Sequence, residues 1–356
     1  VSTTAGASLR PSTGTLLDEH DVLLLDLDGV VYIGPDAVPH APSALQAAVA
    51  AGRRLGFITN NASRPPEQVA EHLRELDVPA RDEDVVNSAQ AAADHLASRF
   101  PSGSPVLLVG TTGLRVALEA VGLRPTDDRR EAVAVVQGFS PDLAWRDLAE
   151  ATHAVRAGLP WIATNLDATV PTPGGPAPGN GLLVDLVARA AGRGPDVVCG
   201  KPERALFDAA VQRLAARSAL VVGDRLDTDL QGARTAGLTG LLVLTGVTGV
   251  RELFAAGAHE RPDHVGHDLR SLADEHPGVE TAPDGVSVVA RCRRAQVRVG
   301  DGGLELLTAE AGQDGLDVLR AAAVAVWSRA DNGRSVSGEQ LTAAADLVER
   351  TVHPPG

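Results

Sequence analysis

Two short apolar runs each carry an aspartate at the carboxyl end: Asp21–Leu27 (DVLLLDL), interrupted by Asp26, and Ala219–Gly223 (ALVVG), followed at once by Asp224. Runs this short, bounded by charge and glycine, predict strands buried on both faces, the pattern of a parallel sheet covered by helices. Arg54–Thr59 (RLGFIT), ended by Asn60-Asn61, and Gly240–Leu244 (GLLVL) read the same way. Between them lie helical apolar spacing over Ala41–Ala50, a helix opened by Pro65-Pro66 and running to about Leu76, and one from about Leu230 to Ala236. This βαβ rhythm predicts a right-handed, doubly wound parallel α/β sheet. Such sheets bind ligands beyond the carboxyl ends of their strands, and Asp26, Thr59 and Asp224 all fall there.

A second set of alternating elements interrupts the first. Val106–Val109, Ala132–Val136 and Trp161–Thr164 read as strands, and Gly113–Val121, Trp145–Gly158 and Gly181–Ala191 as helices. Residues 66–195 are therefore expected to form an α/β domain inserted into a core of 21–65 and 196–276. Residues 1–20, rich in Ser, Thr, Gly and Ala, are expected to be disordered, and 277–285 (PGVETAPDG) to be a linker. Beyond it, a hairpin from Val286–Arg291 and Gln296–Val299 and helices over Leu316–Ser328 and Gly338–Arg350 make 286–356 a small α+β appendage.

The chain is long enough for two domains and an appendage, with 356 residues of which 44% are hydrophobic and 22% charged. Its 32 basic residues against 46 acidic ones give a net charge of −14, which argues against sequence-independent nucleic-acid binding. An anionic substrate must then be attracted locally, by a metal, a lysine or backbone N–H groups. Cys199 and Cys292 stand far apart with no CxxC pair, so neither a zinc site nor a disulfide framework is expected. No signal-peptide pattern and no apolar stretch of about 18 residues occurs, and the expected location is the cytoplasm.

Four motifs bring chemistry to the strand ends. Asp26-Leu27-Asp28-Gly29 sets two carboxylates two residues apart. A carboxylate that attacks phosphorus needs a cation to bring the anions together and a second acid to protonate the leaving oxygen. Gly29 would let the backbone approach a phosphate. A solvated surface turn is the alternative, less attractive behind a purely apolar strand. Thr59-Asn60-Asn61 offers a hydroxyl and N–H groups to phosphate oxygens, or equally an Asx turn. Lys201 in Gly200-Lys201-Pro202 could neutralise phosphate charge, although a lone lysine is usually solvated. Gly223-Asp224-Arg225-Leu226-Asp227-Thr228-Asp229 supplies hard oxygen ligands suited to Mg²⁺, with Asp229 placed to orient a neighbour such as Lys201; an acidic first helical turn explains Asp227 and Asp229 as well. No dinucleotide fingerprint, P-loop or GxSxG elbow is present.

In order and in placement, DLDGVVYIG, FITNNASR, GKP and GDRLDTDLQGA resemble the four motifs of the haloacid dehalogenase superfamily over about residues 20–275. The resemblance implies a Rossmann-like core with Asp26 as nucleophile, Asp28 as acid/base, and Thr59, Asn60, Asn61 and Lys201 around the phosphate. It implies Mg²⁺ bound by Asp26, Asp28 and Asp224, with the Leu27 carbonyl oxygen as a further ligand and Asp229 in support. The second acid favours phosphatase over dehalogenase.

The inserted domain is similar to the α/β cap of phosphoglycolate and p-nitrophenyl phosphatases, where Asn165 and Asp167 would face the substrate, and self-association through it is an expectation. The whole layout is most similar to the actinobacterial glycerol 3-phosphate phosphatases. The C-terminal region resembles a fragment of an acetyltransferase-like fold without an acetyl-CoA loop. The expected activity is hydrolysis of a small phosphorylated metabolite, glycerol 3-phosphate first, then 2-phosphoglycolate, a nucleotide monophosphate or p-nitrophenyl phosphate. A catalytically silent phosphate-ester binding protein is the alternative from another class.

Overall fold

Val22–Leu25 is apolar and buried at every position, as is Ala219–Gly223. Strands with no polar face need cover on both sides, which only the interior of a helix-covered sheet supplies. The computed structural model describes residues 9–172, 174–309 and 314–352. Val22–Leu25 pairs in parallel with Ala219–Gly223, with Leu25 opposite Val222. Ala219–Gly223 pairs with Thr239–Val243, and that strand with His264–Gly266, again in parallel. The chain is α/β, as its apolar runs indicate. It divides into two units, Val1–Leu55 with Ala216–Gly356, and Gly56–Ala215.

In the first unit the C-terminal region is not a separate appendage. Residues 280–284, inside the expected linker, form a strand, antiparallel to Ser287–Cys292. Ala295–Gly300 and Gly303–Thr308 complete a four-stranded antiparallel sheet. The helix Asp317–Asp331 lies against it, apolar nearly all round and buried nearly all round. Its Val318, Val324 and Trp327 share one apolar cluster with Leu230, Leu242, Phe254 and Val265 of the parallel-sheet region. A pattern of Pro and Gly reads as a linker, but the segment is one arm of a hairpin, with Asp284 opposite Ser287 across Gly285-Val286.

The first turn of the described chain also differs from expectation. Residues 1–8 of the expected disordered segment lie outside the described residues. Leu9 is buried, and Leu16–Glu19 is a helical turn with a capping box in which Thr15 and Asp18 exchange hydrogen bonds.

In the second unit, residues 57–59 of the strand Arg54–Thr59 pair in parallel with Val85–Asn87, Thr59 opposite Asn87. It also holds a five-stranded parallel sheet in the order Val197–Val198, Trp161–Ala163, Ala134–Gln137, Pro105–Val109, Arg124–Thr126. Helices Trp145–Arg156 and Asn180–Ala191 pack on one face through Leu148, Val155, Val184 and Val187. The unit extends beyond 66–195, and Asn60 and Lys201 hydrogen-bond to each other inside it. No helix among the described residues is long and apolar enough to cross a membrane.

Candidate active site

Asp26 follows Leu25 directly, its N–H donating to the Val222 carbonyl at 2.9 Å, so the backbone is still fixed by the sheet where the carboxylate begins. The chain then turns sharply. The Leu27 carbonyl accepts from the N–H groups of Val31 at 2.9 Å and Tyr32 at 3.1 Å. The Leu27 carbonyl, expected as a metal ligand, thus also closes the turn. Gly29 has φ +83°, and a β-carbon there would stand 2.6 Å from Asp224 Oδ2. Both facts require glycine, one by backbone conformation and one by close approach.

Asp224 is buried after its strand, and its Oδ2 accepts from the Val247 N–H at 2.7 Å. Residues 226–230 form a single π-helical turn that brings Asp229 back toward the strand end, where its Oδ2 accepts from the Arg225 N–H at 3.1 Å. One oxygen from each of Asp26, Asp224 and Asp229 lies within 4.8 Å of the other two, and all three residues are buried. The expected set was Asp26, Asp28 and Asp224 with Asp229 in support. The structure gathers Asp229 with the other two, while Asp28 is exposed and bridges Tyr32 through its backbone. Three buried carboxylates this close repel, and a divalent cation among them offsets that cost. Hard oxygen donors in this number suit Mg²⁺, which keeps water for its remaining positions. Asp227 stands apart, held in a bidentate pair by Arg225 at 2.8 and 3.1 Å.

In the second unit, Thr59 and Lys201 are both buried. The Thr59 hydroxyl accepts from the Asn61 N–H at 3.1 Å, and the Asn61 side chain accepts from Ser63 N at 2.9 Å and Ser63 Oγ at 2.6 Å. Asn61, expected as a phosphate contact, heads an Asx turn through its Oδ1. Asn60 is engaged throughout. Its Oδ1 accepts from Lys201 N at 2.7 Å; its Nδ2 donates to the Lys201 carbonyl at 3.1 Å and to Asp167 Oδ1 at 3.0 Å.

Asn165, expected to face the substrate, donates to the Asn60 carbonyl at 2.8 Å. Asp167 is half-buried beside it. Gly200 permits this closeness: a β-carbon there would meet Asn60 Oδ1 at 2.6 Å. Burial pushes the neighbouring Cys199 thiol up to about 12, leaving it neutral.

Ser88, Thr245 and Val247 escaped the sequence reading. Ser88 donates to the Asn60 carbonyl at 2.6 Å, and Asn180, in a segment that by resemblance would face the site, donates to the Asn165 carbonyl at 2.8 Å. Thr245 donates to the Gly29 carbonyl at 2.6 Å, and Val247 contributes only its backbone. Thr245 was within reach of the strand-end rule, since it directly follows the apolar run ending at Leu244.

Strand-end aspartates clustered in this way define a class, and similarity to known proteins agrees. A family model described as haloacid dehalogenase-like hydrolase matches residues 23–124, and one described as HAD-hydrolase-like matches 198–272. This chain belongs to the haloacid dehalogenase-like hydrolases.

It is 45% identical over 323 residues to a D-glycerol 3-phosphate phosphatase of Mycobacterium tuberculosis, covering 88% of this chain and 87% of the relative. The crystal structure of a glycerol phosphate phosphatase from that organism in complex with magnesium superposes with a TM-score of 0.80 at 44% identity, covering 89% and 93% of the two chains. An acid sugar phosphatase of Staphylococcus aureus is 34% identical over 239 residues, covering 67% of this chain and 91% of the relative. A model described as a GCN5-related N-acetyltransferase like domain matches residues 292–349.

Proposed function

We propose that this chain is a Mg²⁺-dependent phosphomonoesterase acting through a phospho-aspartate. The observation that carries the reading is the buried cluster of Asp26, Asp224 and Asp229 at the ends of apolar strands. Asp26, Asp224 and Asp229 would hold Mg²⁺, which when bound neutralises the approaching phosphate and lets one anion attack another. A carboxylate oxygen of Asp26 forms a bond to phosphorus as the ester oxygen departs. Asp28, exposed on the turn, gives that oxygen its proton and later takes one from water. The water oxygen then bonds to phosphorus, the acyl phosphate bond breaks, and inorganic phosphate leaves with Asp26 restored. Thr59 and the Lys201 ammonium hold the phosphoryl oxygens.

Glycerol 3-phosphate is the substrate we assign first, on similarity along nearly the whole chain to a phosphatase of that name. Phosphate release from glycerol 3-phosphate, 2-phosphoglycolate, a nucleotide monophosphate and p-nitrophenyl phosphate, with and without EDTA, tests both parts. Release that EDTA abolishes, fastest from glycerol 3-phosphate, is the expected result. No release from any ester would leave a phosphate-ester binding protein instead. We place the chain in the cytoplasm, and we read the exposed Trp145, Leu182 and Leu186 of the second unit as a surface for self-association, which light scattering would detect.

A further inference from the structure

The carboxamide of Asn60 can donate two hydrogen bonds and accept along its carbonyl. Both N–H groups are used, one on Asp167 Oδ1 at 3.0 Å and one on the Lys201 carbonyl at 3.1 Å. Its Oδ1 takes the Lys201 N–H at 2.7 Å. The side chain therefore grips both backbone polar groups of one residue, as a neighbouring strand would, and does so in a buried setting where such bonds are costly to lose. Its own carbonyl is pinned by Asn165 Nδ2 at 2.8 Å and Ser88 Oγ at 2.6 Å. No donor of the Asn60 side chain is left for a ligand.

We propose that the Asn60 side chain is a positioning group: it clamps Lys201 and ties it to the Asp167 loop, and its carboxamide touches no phosphate oxygen. Lys201 leaves this clamp with its Nζ 3.5 Å from the Ile58 carbonyl, so the location of the ammonium depends on where Asn60 holds the backbone. An ammonium displaced by a fraction of an ångström stabilises a developing phosphoryl charge less well, and misplacement of about 1 Å can cost about 100-fold. Asp167 enters through the same carboxamide. Its influence then falls on the phosphoryl-holding lysine, which serves every ester, and not only on the leaving group. The inference rests on the reading of Lys201 as the cation that holds phosphate.

The experiment measures kcat and KM of the full chain with Mg²⁺ for p-nitrophenyl phosphate and glycerol 3-phosphate. Wild-type turnover that EDTA abolishes comes first; its absence would overturn the functional reading, independently of Asn60. Given that turnover, Asn60→Ala should lower kcat about 100-fold for both esters. In a Lys201→Met background the same change should cost less than about threefold, because the group it positions is gone. Asn60→Asp should be worse than Asn60→Ala, since its carboxylate faces Asp167. Adding Asp167→Asn should restore at least about tenfold by returning a donor to that pair.

Full additivity with Lys201→Met, or no rescue by Asp167→Asn, would overturn the proposal and make the Asn60 carboxamide a direct phosphate contact. If the Asn60 variants do not fold, Asp167→Ala decides the matter. Equal losses for the two esters support the clamp, and a loss confined to glycerol 3-phosphate overturns it.

Discussion

The indole Nε1 of Trp327 donates to the Leu253 carbonyl at 2.9 Å, joining the helix Asp317–Asp331 to the helix Val250–Ala255 that connects two strands of the parallel sheet. Arg261 adds a bidentate pair with Asp331 at 2.7 and 2.8 Å and lies 5.3 Å from the Trp327 ring centroid. Arg320 donates to the Val265 carbonyl at 2.8 Å and pairs with Asp314. Together with the shared apolar cluster, these bonds make the C-terminal region part of the core it was expected merely to follow.

A chain ending near Pro277 should therefore fail to fold, since Leu230, Leu242, Phe254 and Val265 would lose the partners that bury them. Trp327→Ala, which empties one of the largest buried sites, should cost about 3–5 kcal/mol in urea unfolding. A soluble, active truncation would contradict this.

Asp224→Asn and Asp229→Asn should weaken Mg²⁺ to a similar degree, each by at least about tenfold. The sequence suggests a smaller effect at Asp229, because only Asp224 ends a strand. The cluster removes that distinction, as both carboxylates lie within 4.8 Å of Asp26. Mg²⁺-dependent thermal shifts of the two variants measure it without requiring turnover; a full-sized shift in Asp229→Asn would exclude Asp229 from the site.

Acid should destabilise the first unit through its histidines. Burial, with smaller contributions from His276 and His20, holds His264 at about 3 against an ordinary 6.5. His276 packs edge-on with ring centroids 4.9 Å apart and is itself lowered by burial. Both are neutral in the fold, so the unfolded chain takes up protons first. Stability is complete above about pH 6.5 and falls as pH drops toward 3, by up to about 1.4 kcal/mol per pH unit for His264. Melting from about pH 7.5 to about pH 5 should show this loss. In His264→Leu the slope should flatten; an unchanged slope would place the acid sensitivity elsewhere.

Much of this site was legible in the sequence because strand ends are legible. Asp26, Thr59 and Asp224 all stand after apolar runs that can only be interior strands, and the α/β class follows from the same runs. What escaped depended on backbone paths with no local signal. The turn that the Leu27 carbonyl closes with Tyr32 and the π-helical turn that carries Asp229 inward are set by packing, not by residue type. Asn60, Asn61 and Asn165 look like ligand contacts because asparagine is polar and sits at strand ends. The structure also shows all three bonded to other protein groups, which no local signal announces. The strand 280–284 pairs with 287–291 across a two-residue turn, and escapes the sequence reading because its own residues, ETAPD, lack the apolar alternation of a strand.

The most direct test of phosphoryl transfer to Asp26 compares wild type with Asp26→Asn in phosphate release from glycerol 3-phosphate with Mg²⁺, alongside melting curves. The variant keeps the shape of the side chain but is a poor nucleophile. The account predicts a fall of at least about a thousandfold with the fold retained. Turnover near the wild-type rate in Asp26→Asn would contradict it.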